Sequence, residues 1–171
     1  MGKFLAGLVL GLLLPPAVYI SLALAGRLSV VADAEPPGWE KVLASHALQK
    51  SIVRQAPEQK NPVPPTEENL LAGMKTFVDG CAGCHGTAAK KSRWGAEEFY
   101  PRAPQFGFAP PDLTESQIFW VIKKGIRYSG MGGNGGEGGY PDEKIWKMAS
   151  FLSSLKSLPP KVAEEWQKAA M

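Results

Sequence analysis

The chain has 171 residues, 44 % of them hydrophobic and 20 % charged, with a formal net charge of +3, two cysteines and two histidines. That length accommodates one ordinary domain with appendages, and the interspersed charge offers no basic stripe for a phosphate backbone, so no nucleic acid partner is expected. Two cysteines exclude a multi-bridge disulfide scaffold and a four-thiolate metal site, and two histidines put most zinc cages out of reach.

Residues 4–25 are 22 positions without a charge, the length a helix needs to cross the hydrocarbon of a bilayer. Pro15 and Pro16 would disrupt a soluble helix, but a spanning one tolerates them with a kink. A cleaved signal peptide competes with a retained anchor, because Ala23-Leu24-Ala25 and Ala32-Asp33-Ala34 both look like small-residue cleavage sites. The apolar run exceeds the usual signal core of about 7–15 residues, which favours the anchor. Either reading exports the remainder. Lys3, just ahead of the span, places the N-terminus in the cytoplasm and everything after Arg27 outside.

From Gly38 to Arg54, Trp39, Val42, Leu43, His46 and Val53 share one arc at helical spacing, the mark of an amphipathic helix. Pro57, Pro62, Pro64 and Pro65 then favour extended geometry and a semi-rigid spacer. The organisation expected is an anchor over 1–28, the amphipathic helix and spacer over 29–65, a main domain over 66–160 and a C-terminal tail over 161–171.

The main domain reads as all-α, with no internal repeat and poor strand signal. Thr66-Glu67-Glu68-Asn69 can cap a helix running to about Asp79, and Glu115 to Lys124 forms a second. A third starts near Pro141-Asp142-Glu143 with an acidic first turn and the stripe Ile145, Met148, Ala149, Leu152 and Leu155, and Pro159-Pro160 ends it. Two long loops separate the helices, Gly86 to Leu113 and Ser129 to Tyr140, the second with seven glycines. Irregular loops of that length in a compact domain are usually functional, and these could wrap something that is not protein.

Cys81-Ala82-Gly83-Cys84-His85 is the pattern of haem c attachment: two thiols add across the haem vinyl groups and the next residue is the proximal iron ligand. Two intervening residues let both sulfurs reach neighbouring vinyls from one turn, and small residues at 82 and 83 suit a backbone pressed against the macrocycle. Three readings compete. A thioredoxin-like dithiol lacks its strand, helix, strand context. A disulfide over so short a span adds little by loop closure. A zinc site would need two further ligands, with His46 the only other histidine.

Gly73, Phe77, Cys81 to Gly86, the run Gly125-Ile126-Arg127-Tyr128-Ser129-Gly130-Met131, and the helix from Asp142 to Leu155 together resemble a small monohaem class I cytochrome c over about Thr66 to Pro160. The anchor, helix and proline spacer ahead of it are similar to those of membrane-tethered bacterial cytochromes. The resemblance implies a cytochrome c-like domain of about three core helices around one covalent haem c, preceded by a transmembrane helix and an amphipathic helix. It places Met131, 46 residues after His85, as the distal ligand, so that His85 and Met131 fill both axial positions of the iron and the thioether raises the reduction potential. Met74 and Met148 sit in helix patterns and read as core fillers. Gly132 stands where the family commonly has proline after the methionine, which would leave the ligand loop less stiff. His46 is the rival ligand, expected instead to be satisfied where its helix docks on the cytochrome domain or on the membrane.

The resemblance also implies a proline carbonyl that accepts from the proximal imidazole, with Pro101 and Pro104 as candidates beside a plain loop-stiffening role. Gly73 corresponds to the glycine where first and last helices cross, with Phe77 and Phe151 as aromatic packing partners. Arg102, Arg127, Trp94 and Tyr128 are candidate donors to the haem propionates, and Trp120 and Trp146 are expected in the core.

The function implied is a membrane-tethered carrier of single electrons, single-pass in the cytoplasmic membrane with its haem domain on the periplasmic side. It would work between membrane electron-transfer complexes or exported dehydrogenases, with the bilayer itself contacted through residues 4–25. A permanent haem subunit of a multi-subunit membrane oxidoreductase is the alternative. An enzyme in its own right is not expected, for want of an open iron site and a distal acid or base. Removing Lys3 leaves +2 on the exported part, and two ionised propionates would bring that to about zero, so tethering rather than a basic face would keep it near its partners.

Overall fold

In a computed structural model, which describes residues 1–98 and 100–169, the chain divides into two compact units, Met1–Ala32 and Asp33–Met171. The first is helix α1, Gly2–Leu24, which runs unbroken through Pro15 and Pro16 and is long and apolar enough to cross a membrane.

The regular secondary structure among the second unit's described residues is all helical: α2 Gly38–Gln55, α3 Glu67–Gly80, the single turn α4 Ala82–His85, a π turn Trp94–Glu98, α5 Glu115–Lys124, α6 Asp142–Ser153 and α7 Pro160–Lys168. Local chemistry sets the starts. The Thr66 hydroxyl accepts from Asn69 N at 3.2 Å, and Thr114 and Gln117 exchange side-chain bonds with each other's backbone N–H in a complete capping box ahead of α5. Acidic Asp142 and Glu143 in the first turn of α6 and basic Lys123 and Lys124 in the last turn of α5 suit the helix dipoles.

The core forms where α3 crosses α6. A Cβ on Gly73 would lie 2.1 Å from the Lys147 carbonyl oxygen, so only glycine lets the backbones approach this closely. Phe77, Ile145, Met148 and Phe151 are fully buried there, each contributing about 1.5–3 kcal/mol by leaving water. Trp146 stacks on Phe119 with centroids 3.9 Å apart, joining α5 to α6. Trp120, expected in the core, is only half-buried, and so is Met74.

Two segments differ from the sequence reading. The residues after Pro160, read as a tail, form α7. Its Val162 is fully buried and its Trp166 is 4 % exposed, set edge-on to Phe77 and Phe151 at 5.9 and 5.2 Å. Proline suits the first turn of a helix, where its missing N–H would have no partner, so Pro160 opens α7; α6 has already ended at Ser153, short of Leu155 and of the Pro159-Pro160 pair expected to stop it. The proline-rich segment, read as a spacer, is stapled to the domain. Asn61 Nδ2 donates to Glu115 Oε1 at 2.8 Å and to Ser150 Oγ at 3.3 Å, and the Ser116 hydroxyl donates to the Pro57 carbonyl. Segment 57–63 therefore lies along α5 and α6.

The amphipathic helix also turns a different side inward. The arc of Trp39, Val42, Leu43, His46 and Val53 is exposed, and α2 buries only Ile52.

Candidate haem site

The last turn of α3 delivers Cys81, whose N–H bonds the Phe77 carbonyl at 2.7 Å. The chain then winds into α4, where Cys84 N and His85 N both donate to the Cys81 carbonyl at 3.1 and 3.0 Å. This turn brings both thiols, neither in a disulfide, and the His85 ring onto one cavity of about 530 Å³, within the range of about 300–1,000 Å³ typical of cofactor pockets. Ile118, Val121 and Ile122 of α5, Leu152 of α6 and Phe106 make its walls apolar.

His85 is held in one orientation. Its Nδ1 lies 2.9 Å from the Pro104 carbonyl oxygen, and its ring stacks on Phe106 at 4.7 Å and 8°. A carbonyl can only accept, so Nδ1 carries the proton and Nε2 keeps its lone pair. Burial lowers the imidazole pKa from its usual value, opposed by the Pro104 bond, so the neutral, metal-binding form is favoured. Burial and the neighbouring Cys84 push the Cys81 thiol up to about 11.

The turn is braced by side chains from the long loop. Gln105 Nε2 donates to the carbonyls of Cys84 (2.9 Å) and Ala103 (2.8 Å), and its Oε1 accepts from Ser92 N at 2.8 Å. The Ser92 hydroxyl donates to the Gly83 carbonyl and accepts from Gly95 N. Gly95, in the π turn, lies so close that a Cβ would sit 1.9 Å from the Cys84 carbonyl oxygen.

Met131 lines the same cavity from the glycine-rich loop. Its carbonyl accepts from Ile126 N at 2.9 Å. Its N–H donates to Ser129 Oγ at 3.1 Å, and that hydroxyl donates to the Ile126 carbonyl at 2.7 Å. The missing proline at 132 is thus accompanied by a closed Ile126–Ser129–Met131 ring of bonds.

Cys81, Cys84, His85, Met131, Pro101, Pro104 and Arg102 are brought together on the cavity. Pro104, not Pro101, supplies the carbonyl to His85. Arg102 donates to the backbone oxygens of Glu97 and Asp33. Trp94 and Arg127 are exposed, Tyr128 is 90 % exposed, and His46 is exposed; none of the four lines the cavity. The sequence reading missed Leu48, Gln49 and Ile52 of α2, which close one side of it. The signal was present as a second apolar stripe, since Leu48 and Ile52 are four residues apart.

Residues 68–152 match the family model described as cytochrome C oxidase, cbb3-type, subunit III. This segment is a cytochrome c domain, the class of protein that carries haem c covalently. Curated proteins and solved structures yield no match to the chain. The donor set fits that group: two free thiols one turn apart, an imidazole whose Nδ1 is already committed, and a thioether, all on one apolar cavity.

Proposed function

We propose that this chain carries single electrons as a cytochrome c tethered to the cytoplasmic membrane through residues 4–25, with one haem in the domain spanning 66–160 on the outer, periplasmic side. Cys81 and Cys84 would hold the haem through their sulfurs, and His85 Nε2 and the Met131 sulfur would take the two axial positions of its iron. Haem c bound this way supplies a reversible one-electron step. The chain's own task is to orient His85 through Pro104 and Phe106, to keep water off the site with the apolar walls of α5 and α6, and to hold Met131 by its loop. The observation that supports this reading is the convergence of all four side chains on one cavity, with the His85 tautomer set.

Acid-acetone extraction of the denatured protein tests the attachment: the colour stays with the polypeptide, and its removal would sink the reading. Met131→Ala abolishes the long-wavelength sulfur-to-iron band of the oxidised protein, and survival of that band would show that another group is the distal ligand.

A second reading is favoured by the family match, whose description names an oxidase subunit: a haem subunit built permanently into a membrane complex. Purification from the native membrane separates the two. A carrier elutes as a single chain and exchanges electrons in solution, whereas a subunit elutes at fixed stoichiometry with larger membrane chains.

A further inference from the structure

Helix α2 has two working sides. Leu48 and Ile52 turn toward the haem cavity, and the stapling of 57–63 onto α5 and α6 by Asn61 and Ser116 holds that side in place. The other side is the arc the sequence singled out. Trp39, Val42, Leu43 and Val53 are between 58 and 71 % exposed. At about 100° per residue, Lys50 and Arg54 continue the same arc through the last turns, and neither is in an ion pair among the described residues. The outer face is therefore apolar from Trp39 to Val53 and gains basic side chains in its last turns, the arrangement of helices that lie in a lipid interface with aromatic and aliphatic side chains in the acyl boundary and cations at the headgroups.

The chain length supplies the occupant. Thirteen residues separate Leu24 of α1 from Gly38 of α2, at most about 45 Å of extended chain. A bilayer spanned by α1 is consequently within reach of α2 at all times, at high effective concentration. We propose that the outer face of α2 docks on the surface of that same bilayer, with Val42 and Leu43 in the acyl boundary and Lys50 and Arg54 at anionic headgroups. The proposal rests on the tether reading above. Its consequence is that one wall of the haem cavity is carried by the helix that lies on the lipid, which sets how the cavity faces along the membrane.

The full chain with its haem, in vesicles of phosphatidylcholine and phosphatidylglycerol, tests this with a spin label introduced as an unnatural amino acid at position 42, 43 or 44. Collisions with oxygen, which partitions into lipid, are compared with collisions with a water-soluble nickel chelate. At 42 and 43 oxygen wins several-fold, and at 44, on the far side of the helix, the chelate wins. The charge-removing pair Lys50→Gln and Arg54→Gln lowers the oxygen signal at 42 and 43. Equal chelate access at all three positions overturns the proposal, as does shielding of 42 and 43 from both reagents, which would mean that a protein surface covers them. A chain that fails to float with the vesicles overturns the tether itself, an outcome distinct from a floating chain whose position 42 is wet.

Discussion

The surroundings that hold His85 of α4 and Met131 of the glycine-rich loop at the cavity are built differently. On the histidine side, side chains do the bracing: Gln105 spans three backbone groups, Ser92 two, Phe106 stacks on the ring and the Pro104 carbonyl holds Nδ1. On the methionine side the backbone folds on itself. Asn134 N and Gly135 N donate to the carbonyls of Ile122 and Lys123 at the end of α5, and Ser129 is the one hydroxyl tying Met131 to Ile126. Sensitivity to side-chain removal should therefore be greater on the histidine side, whereas both sides are closed to an added side chain where a glycine packs on backbone, as at Gly95 and Gly107 on one and Gly125 and Gly139 on the other.

The largest effect is expected at Gly95, on the histidine side. Gly95→Ala puts a methyl group on the Cys84 carbonyl oxygen and destabilises the haem-loaded protein by about 3 kcal/mol in guanidinium titration, since neither backbone can yield without moving the attachment turn. A cost below about 1 kcal/mol would mean that the π turn is not pressed on that turn. Next comes Gln105→Ala, which removes three hydrogen bonds and leaves partly buried backbone groups of Ser92 and Cys84 without them. A loss of about 2–3 kcal/mol is expected, and little change would remove the side-chain brace from the comparison. Ser129→Ala is smaller, about 1 kcal/mol, but should speed displacement of the Met131 sulfur by added imidazole; an unchanged displacement rate would show that backbone bonds alone hold the methionine. Smallest is Gly132→Ala. Nothing lies within 4 Å of the added Cβ, so stability changes by less than about 0.5 kcal/mol, whereas at Gly125, φ +72° and 2.5 Å from Gly132, the same change is strained.

What the sequence alone determined is what neighbours along the chain decide. The attachment turn, the Thr66 cap, the acidic start of α6 and the glycine of the α3–α6 crossing are legible because each depends on residues one to four positions apart, or on a backbone approach that only glycine allows. Tertiary structure decided the choices among equals. Pro101 and Pro104 are alike in sequence, yet only one carbonyl meets His85. Of Arg102, Arg127, Trp94 and Tyr128, packing brought Arg102 alone to the cavity. The strongest apolar arc of α2 stayed outside while the weaker pair Leu48 and Ile52 went in, because a stripe announces that it needs burial without naming the surface that provides it. Asn61 and Trp166 became structural only through distant partners: Glu115, 54 residues on, for Asn61, and Phe77 and Phe151, 89 and 15 residues back, for Trp166. Contacts at that separation leave no period in the sequence, and only the closed fold shows them.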